Sequence, residues 1–165
     1  MVDTSKLPEV ERRHLLEKEL QPLPTVPLVA GPPLSKRRIA IITTAGLHRI
    51  DDERFNLVDV SYRVLPSDVK TGDLSMTHSS VHFDRTGFQE DINLVYPIDR
   101  LKEIAEHGEI GSVARFHYSF MGAGWPPEMI EETAKQLAGL LKMPMTLFET
   151  TADHDILLHR RDDCQ

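Results

Sequence analysis

Two histidines and a carboxylate lie close together in the sequence and could form a metal site. The segment from His78 to Asp84 reads HSSVHFD. Imidazole nitrogens and carboxylate oxygens bind divalent metals such as zinc at about 2.0–2.2 Å, so the candidate ligands are His78, His82 and Asp84. His48 and His117 could be added to this set. In the alternative interpretation the histidines hydrogen-bond to loop backbone, because the spacing H-x3-H fixes no geometry outside a helix.

A second group of charged residues lies in the block DINLVYPIDR, which runs from Asp91 to Arg100. In a binding role, the planar guanidinium of Arg100 would hold a substrate carboxylate through two parallel hydrogen bonds. In a structural role, Asp99 would cap the helix that follows, and Arg100 would pair with Asp91 or Glu103. The sequence leaves both interpretations open.

His117 lies in the segment FHYSFMG, where a predicted strand leads into a glycine-containing loop. An imidazole with a pKa near neutrality can act there as a general acid or base. Ser119 is not expected to be a covalent nucleophile, because the pattern G-x-S-x-G is absent. The candidate catalytic residues from the sequence are therefore His78, His82, Asp84, Asp91, Arg100 and His117.

Composition and charge indicate an ordinary globular protein of one domain. The chain has 165 residues, of which 40% are hydrophobic and 27% are charged, and this is enough to bury a core. The formal net charge of −7 argues against nucleic acid or an anionic membrane surface as the main partner. No apolar run approaches the roughly 18 residues of a membrane span, and no N-terminal leader is expected. We therefore expect a cytoplasmic protein.

The single cysteine, Cys164, is not expected to take part in chemistry. One thiol cannot form an internal disulfide, so nothing indicates an oxidising compartment. Asp162 and Asp163 precede it, and neighbouring negative charge raises the pKa of a thiol. The thiolate is the reactive form, so Cys164 should be a poor nucleophile.

Proline content separates an N-terminal region from the rest of the chain. Residues 4–20 carry apolar side chains near helical spacing, which predicts a short amphipathic helix. Five prolines lie within residues 21–33, and this density excludes a helix or a central strand. We interpret the stretch as an extended arm that docks on this domain or on a second subunit. The predicted organisation is an N-terminal helix and Pro-rich arm over residues 1–35, an α/β domain over 36–150 and a polar C-terminal tail over 151–165.

Apolar runs alternate with helical patterns from residue 38 onward. The run RIAIITT at 38–44 predicts a strand buried on both faces, as in a parallel sheet. Residues 58–65 predict a second strand, because Val60, Tyr62 and Val64 alternate along it. Further strands are predicted at 111–120 and 145–148, and helices at 98–107 and 127–142. This alternation predicts an α/β fold: a small, mostly parallel sheet flanked by helices, equivalent to half of a Rossmann-like domain.

Three predicted loops follow strands, at the sheet edge where ligands of open α/β sheets bind. One begins after Thr44, and the others span His78–Asp91 and Met121–Trp125. Small residues such as Gly46 in the first loop let a ligand approach the backbone closely. We therefore expect any ligand site where these loops meet.

Several segments, in this order and at similar spacing, resemble one protein family. They are RIAIITTAGLH, FNLVDVSYRVLPSD, the histidine-containing loop, DINLVYPIDRL and GSVARFHYSFMG, followed by an acidic helix. Together they cover about residues 36–142 and resemble the B-subunit (selenoprotein B) family of the glycine/sarcosine/betaine/D-proline reductases. The pattern DIN-x-x-x-P-I-D-R-L and the loop FMG are its most specific parts.

The resemblance implies an α/β protein that takes part in reductive cleavage of a carbon–nitrogen bond. In that family a selenocysteine or cysteine follows the next buried strand, in the second half of the subunit. Full-length members work beside a partner subunit whose pyruvoyl group binds the substrate amine. Here the sequence after Lys142 reads MPMTLFETTADHD, without a cysteine. The resemblance is therefore to a truncated member that lacks the selenocysteine or cysteine half, and the redox nucleophile is not carried over.

Two function hypotheses of different classes follow. In the first, the chain is a reductase-like enzyme that acts on a small amino-acid-like substrate through the His/Asp/Arg site at the strand ends, with a divalent metal as candidate cofactor. In the second, it is a non-catalytic subunit or a small-ligand-binding protein. It would then assemble as a homo-oligomer, a dimer or larger, or with a partner that supplies the redox residue. The second hypothesis rests on the open edge expected of so small a sheet.

Overall fold

The protein has an α/β fold in the computed structural model, as the alternation of strand and helix patterns predicts. The structure describes residues 4–17, 31–80, 85–122, 127–141, 145–150 and 157–160. The α-helices in this part of the chain are α1 (Glu9–Leu16), α2 (Arg85–Glu90), α3 (Ile98–Glu106) and α4 (Pro127–Leu140). The strands are β1 (Arg38–Thr43), β2 (Leu47–Arg49), β3 (Tyr62–Pro66), β4 (Leu74–Met76), β5 (Ser112–Val113), β6 (Phe116–Phe120), β7 (Met145–Thr150) and β8 (Leu157–Arg160).

Strand β1 is the centre of the main sheet, which has six strands in the described residues. It pairs in parallel with β5 and then β6 on one side and with β7 on the other. Ile39, Ala40 and Ile41 are buried, because a central parallel strand has neighbours on both sides and packed layers over both faces. The prediction of a buried parallel strand at 38–44 is confirmed.

The outer pairs of the sheet are antiparallel. β3 pairs with β6 along one side, and β8 pairs with β7 along the other. The sheet is therefore parallel at its centre and antiparallel towards its edges. β8 lies within residues 151–165, where the sequence predicts a polar tail. β2 and β4 form a separate antiparallel pair, which the sequence patterns do not predict.

Two hydrophobic cores lie on opposite faces of the sheet. On one face, Leu101 of α3 and the preceding Tyr96 belong to the same buried cluster as Ile41 of β1. On the other face, Leu137 of α4 packs in a smaller cluster with Phe120 of β6. The helices predicted at 98–107 and 127–142 are therefore confirmed, and each covers one face of the sheet.

The N-terminal helix is shorter than the predicted 4–20. α1 spans Glu9–Leu16, and residues 18–30, which include much of the Pro-rich arm, lie outside the described residues. No helix in the part of the chain that the structure describes is long and apolar enough to cross a membrane.

Both faces of strand β3 pack against a core. Leu65 belongs to the larger buried cluster, whereas Tyr62 packs against the smaller one on the other face of the sheet. Val64 is 41% exposed, and the charged Arg63 is buried. The strand predicted at 58–65 begins at Tyr62. Asp59 neutralises the charge of Arg63, which makes the burial of this residue tolerable.

The strand predicted at 111–120 is divided into β5 and β6 by a bulge. β5 pairs Val113 with Ile39, whereas β6 pairs Tyr118 with Ile42. The two pairings differ in register, because extra residues around Ala114 are inserted between β5 and β6 opposite the continuous β1. A bulge of this kind interrupts the ladder of main-chain hydrogen bonds.

Candidate functional site

Three loops meet where β1 and β6 end. The N–H of Gly46 donates to the carbonyl of Phe120 at 2.8 Å, and the N–H of Gly122 donates to the carbonyl of Thr44 at 2.9 Å. The N–H of Thr77 donates to the carbonyl of Gly46, also at 2.9 Å. The described parts of the three predicted loops therefore lie side by side. The segment predicted as a loop over His78–Asp91 includes α2 (Arg85–Glu90), so that prediction holds only in part. We name residues 44–46, 77–80 and 120–122 the strand-end cluster.

Glycine is required at two positions of the strand-end cluster. Gly46 has φ +68°, and a Cβ there would overlap the carbonyl oxygen of Thr77. A Cβ on Gly122 would overlap the side chain of Thr44. These close approaches explain why small residues follow the strands: they let three backbone segments pack at one edge of the sheet.

His78 is buried within the strand-end cluster. Its Nδ1 accepts a hydrogen bond from the N–H of Ser80 at 3.2 Å, so this nitrogen carries no proton. The guanidinium of Arg85 donates to the main-chain carbonyl of His78, and the hydroxyl of Ser79 lies 3.3 Å from the sulfur of Met121. In the neutral ring the proton is then on Nε2.

The other two residues of the predicted metal site cannot be placed. His82 and Asp84 lie outside the described residues. Within the described residues, no group of three or more histidine, cysteine or acidic side chains could hold a metal ion. The metal site at His78, His82 and Asp84 stays a prediction.

His48 is held on both sides of its ring. Its Nδ1 lies 2.8 Å from the carbonyl of Arg49 and must donate to it, because a carbonyl oxygen only accepts. In the neutral ring, Nε2 then accepts from the hydroxyl of Thr77 at 3.0 Å. These bonds use both ring nitrogens, so they favour a role in positioning the 77–80 loop over metal binding.

His117 is fully buried beneath the strand-end cluster. Its Nδ1 accepts the main-chain N–H of Ile41 at 2.9 Å, at the bulge between β5 and β6. Burial, with a smaller contribution from the charge of Lys102, lowers the pKa of His117 from 6.5 to about 4. The ring is therefore neutral at pH 7, and Nε2 carries the proton.

The block DINLVYPIDR forms a network centred on Asn93, which the sequence analysis did not single out. Its side chain donates to Asp91 at 2.9 Å and to Asp99 at 3.1 Å. Its amide oxygen accepts the N–H of Asp99 at the start of α3, also at 3.1 Å. Asp99 is thus not the predicted cap. Pro97 occupies the N-cap position without a side-chain hydrogen bond, and Asn93 supplies an acceptor to the first turn of α3 from outside the helix.

Asp91 and Arg100 both take part in local contacts. Hydrogen bonds from the backbone and side chain of Asn93 lower the pKa of Asp91 below its usual value. Arg100 pairs with Glu103 at 2.8 Å, and its side chain is 63% exposed. The structural alternative, a local ion pair with Glu103, is the arrangement in the structure.

A buried arginine, Arg63, also lies outside the predicted site. It pairs with Asp59 at 2.8 Å, and its Nε donates to the carbonyl of Glu53 at 2.7 Å. Its guanidinium stacks on Phe55 at 4.3 Å from the ring centroid, and the edge of Phe55 meets His48. Arg63 therefore connects the loop before β3 to the strand. Through Phe55 it also packs towards His48, which bonds to Thr77.

The carboxyl group of Asp59 is ionised in this pair. Burial raises its pKa, but hydrogen bonds from Ser61 and Arg63 outweigh burial, and the net pKa lies below the usual value. No local spacing rule predicts this contact, because Asp59 lies in the loop before β3 and Arg63 lies within the strand.

Comparison with known proteins relates the chain to components of amino-acid reductases. Residues 19–145 match the family described as glycine/sarcosine/betaine reductase selenoprotein B. The chain is 35% identical over 126 residues to D-proline reductase subunit gamma of Acetoanaerobium sticklandii. It is 28% identical over 118 residues to betaine reductase complex component B subunit beta of Peptoclostridium acidaminophilum.

The chain spans about half the length of the first of these relatives. The matched regions cover 73% of this chain and 51% of the D-proline reductase subunit. They cover 66% of this chain and 26% of the betaine reductase subunit. No solved structure gives a significant match.

Proposed function

Because the chain belongs to the glycine/sarcosine/betaine reductase selenoprotein B family, we propose that it binds a small amino-acid-like substrate as one component of a reductase. The relatives are named as subunits of D-proline reductase and of a betaine reductase complex. Both named substrates are small molecules with a carboxylate next to an amine or quaternary nitrogen. A site for them needs one group for the carboxylate and an acidic or aromatic environment for the nitrogen.

The strand-end cluster is the observation that carries this proposal. It lies beyond the carboxyl ends of the parallel strands β1 and β6, where ligands of α/β sheets bind. Gly46 and Gly122 bring three backbone segments together there, and His78 is held in the same place by Ser80. A rigid scaffold with a histidine-bearing loop is a common way to position a binding site.

We assign the predicted site residues the following roles in this proposal. His78, which Ser80 holds in place through Nδ1, contacts the substrate carboxylate. His82 and Asp84, which follow His78 in the sequence, bind the nitrogen end. Arg100 is a second candidate for the carboxylate, since breaking its exposed pair with Glu103 would cost less than about 1 kcal/mol.

Asp91 and His117 support the site in this proposal without contacting the substrate. Asp91 holds Asn93 and through it the start of α3. His117 has one nitrogen bonded to β1 and a pKa of about 4, which suits a fixed hydrogen-bonding group better than a general acid at pH 7.

We propose that the redox group comes from a partner chain. The sequence contains one cysteine, Cys164, beside Asp162 and Asp163, where a thiol has a raised pKa and reacts poorly. We expect this chain to form a dimer or larger homo-oligomer, either alone or bound to the partner chain. Native mass spectrometry of protein purified without chelators tests both the assembly and the metal, since each changes the measured mass.

Substrate binding is tested by the shift of the thermal midpoint with glycine, sarcosine, betaine and D-proline as probes. Binding to the folded state alone raises the midpoint. We expect one or more of the four to raise it for the unmodified chain and not for His78→Asn. Asparagine keeps an acceptor for the N–H of Ser80, so the fold should be retained.

The matched control is His107→Asn, because the His107 side chain is 73% exposed and lies at the end of α3. This variant should respond to the probes as the unmodified chain does. No shift with any of the four probes would contradict substrate binding by this chain. Equal shifts for His78→Asn and the unmodified chain would contradict the assignment to the strand-end cluster.

A further inference from the structure

Three buried polar atoms have no hydrogen-bond partner in the described residues. They are Oη of Tyr96, Nε2 of His117 and Oγ of Ser119. All three residues have 0% relative exposure. Buried polar groups are almost always hydrogen-bonded, and an ordered water is a frequent partner where no protein group serves.

The three groups share one region of the protein. His117 and Ser119 lie two residues apart on β6, so their side chains point to the same face of the sheet. The rings of Tyr96 and His117 meet edge to face, with centroids 5.5 Å apart. Tyr96 therefore covers the sheet face from which the His117 ring projects.

The donors and acceptors of these groups are complementary to a water molecule. Nδ1 of His117 accepts from Ile41, so Nε2 is a donor. The two hydroxyls can each donate or accept. Burial, together with Asp99, raises the pKa of Tyr96 far above its usual value, so its hydroxyl keeps the proton. A water molecule has two donor and two acceptor positions and can satisfy all three groups at once.

We propose that an ordered water is buried between Tyr96, His117 and Ser119 and bridges the loop before α3 to β6. The water accepts from Nε2 of His117 and exchanges hydrogen bonds with the two hydroxyls. It completes the contacts of an imidazole whose other nitrogen is bonded to β1. The proposal does not depend on the substrate-binding role.

The sign of a stability change tests this proposal. Removing a buried hydroxyl that bonds to water destabilises the fold, whereas removing one without a partner stabilises it or has little effect. Tyr96→Phe and Ser119→Ala should each lower the folding equilibrium constant about fivefold in urea unfolding. Because the two hydroxyls would share one water, the double variant should lose less than the product of the single effects.

Tyr62→Phe is the control, since Tyr62 lies on the opposite face of the sheet in the smaller core and should not report on this site. A raised urea midpoint in Tyr96→Phe would overturn the proposal. A crystal structure of the unmodified chain provides the second measurement. Density for a water within hydrogen-bond distance of all three atoms is expected, and an empty gap or a side chain in that place would overturn the proposal.

Discussion

The main-chain N–H of Ile41 donates a hydrogen bond to Nδ1 of His117 across 2.9 Å. The bond lies at the bulge where the partner of β1 changes from β5 to β6, so the ladder of carbonyl acceptors is interrupted there. The imidazole takes the place of a main-chain acceptor. A histidine that the sequence suggests for acid–base chemistry thus has a structural bond in the core of the sheet.

The pKa of His117 predicts a loss of stability in mild acid. The folded value of about 4 lies below the ordinary 6.5, so the unfolded chain binds a proton first as the pH falls. The contribution of the neutral His117 ring to the free energy of unfolding is therefore fully present above about pH 6.5. It is lost progressively as the pH falls towards 4. A depression of this size corresponds to at most about 3 kcal/mol.

Urea unfolding between pH 4 and pH 7 measures this dependence. His117→Asn should be less stable at pH 7 but should show a weaker pH dependence, because asparagine can accept from Ile41 and does not titrate. His107→Asn removes an exposed imidazole and should keep the pH dependence of the unmodified chain. Identical pH profiles for His117→Asn and the unmodified chain would contradict the assignment.

Arg63 should be among the charged residues whose loss costs most stability. Its side chain and that of Asp59 are 8% and 10% exposed, and truncating one partner leaves the other buried without compensation. Arg63→Ala should lower the free energy of unfolding by about 3 kcal/mol. The exposed pair of Arg49 with Asp51 provides the control, and Arg49→Ala should cost less than about 1 kcal/mol. Similar costs at the two sites would argue against this account.

Glycine substitutions should separate backbone strain from steric overlap. Gly46 and Gly108 both have positive φ, but only at Gly46 would a Cβ meet backbone atoms. Gly108→Ala should cost about 1 kcal/mol through strain alone. Gly46→Ala should cost clearly more, because the carbonyl of Thr77 cannot move without disturbing the strand-end cluster. Gly72 has open space around it and no positive φ, so Gly72→Ala should change the unfolding midpoint little and serves as the control. Equal effects of the substitutions at Gly46 and Gly108 would refute the packing argument.

Asn93 should be more sensitive to charge than to size. Asn93→Ala removes the side-chain acceptor of the Asp99 N–H in the first turn of α3 and should cost about 1 kcal/mol in urea unfolding. Asn93→Asp is nearly isosteric but replaces the amide that donates to Asp91 and Asp99 with a third carboxylate. We expect it to be less stable than Asn93→Ala at pH 7, and the difference should shrink as the pH is lowered towards 4. An aspartate variant as stable as the parent would show that the amide donor is dispensable.

Local sequence patterns were sufficient for most of the elements. The run at 38–44 predicted β1 because a continuous apolar stretch fits a strand covered on both faces. Helix α3 followed from its apolar spacing and from Gly108, whose φ of +76° ends it. The burial of Arg63 could not be predicted, because the alternation in β3 does not show that Asp59 would neutralise this charge.

The candidate site was predictable only in outline. Loops after parallel strands could be identified, because topology places them at one edge of the sheet. The functions of individual polar side chains could not, since Asn93 supplies an acceptor to the first turn of α3 and His48 positions a loop through contacts that no spacing rule specifies. The chemistry at His82 and Asp84 stays a prediction.

The sequence by itself determined the family, the α/β class and the place where a site should lie. These follow from steric preferences that repeat every two or 3.6 residues and are present in any short stretch of chain. Only the tertiary structure decided the role of His117, because its partner Ile41 is 76 residues away in the chain. That contact depends on the register of β6 against β1, which is set when the sheet assembles and is encoded in no local pattern.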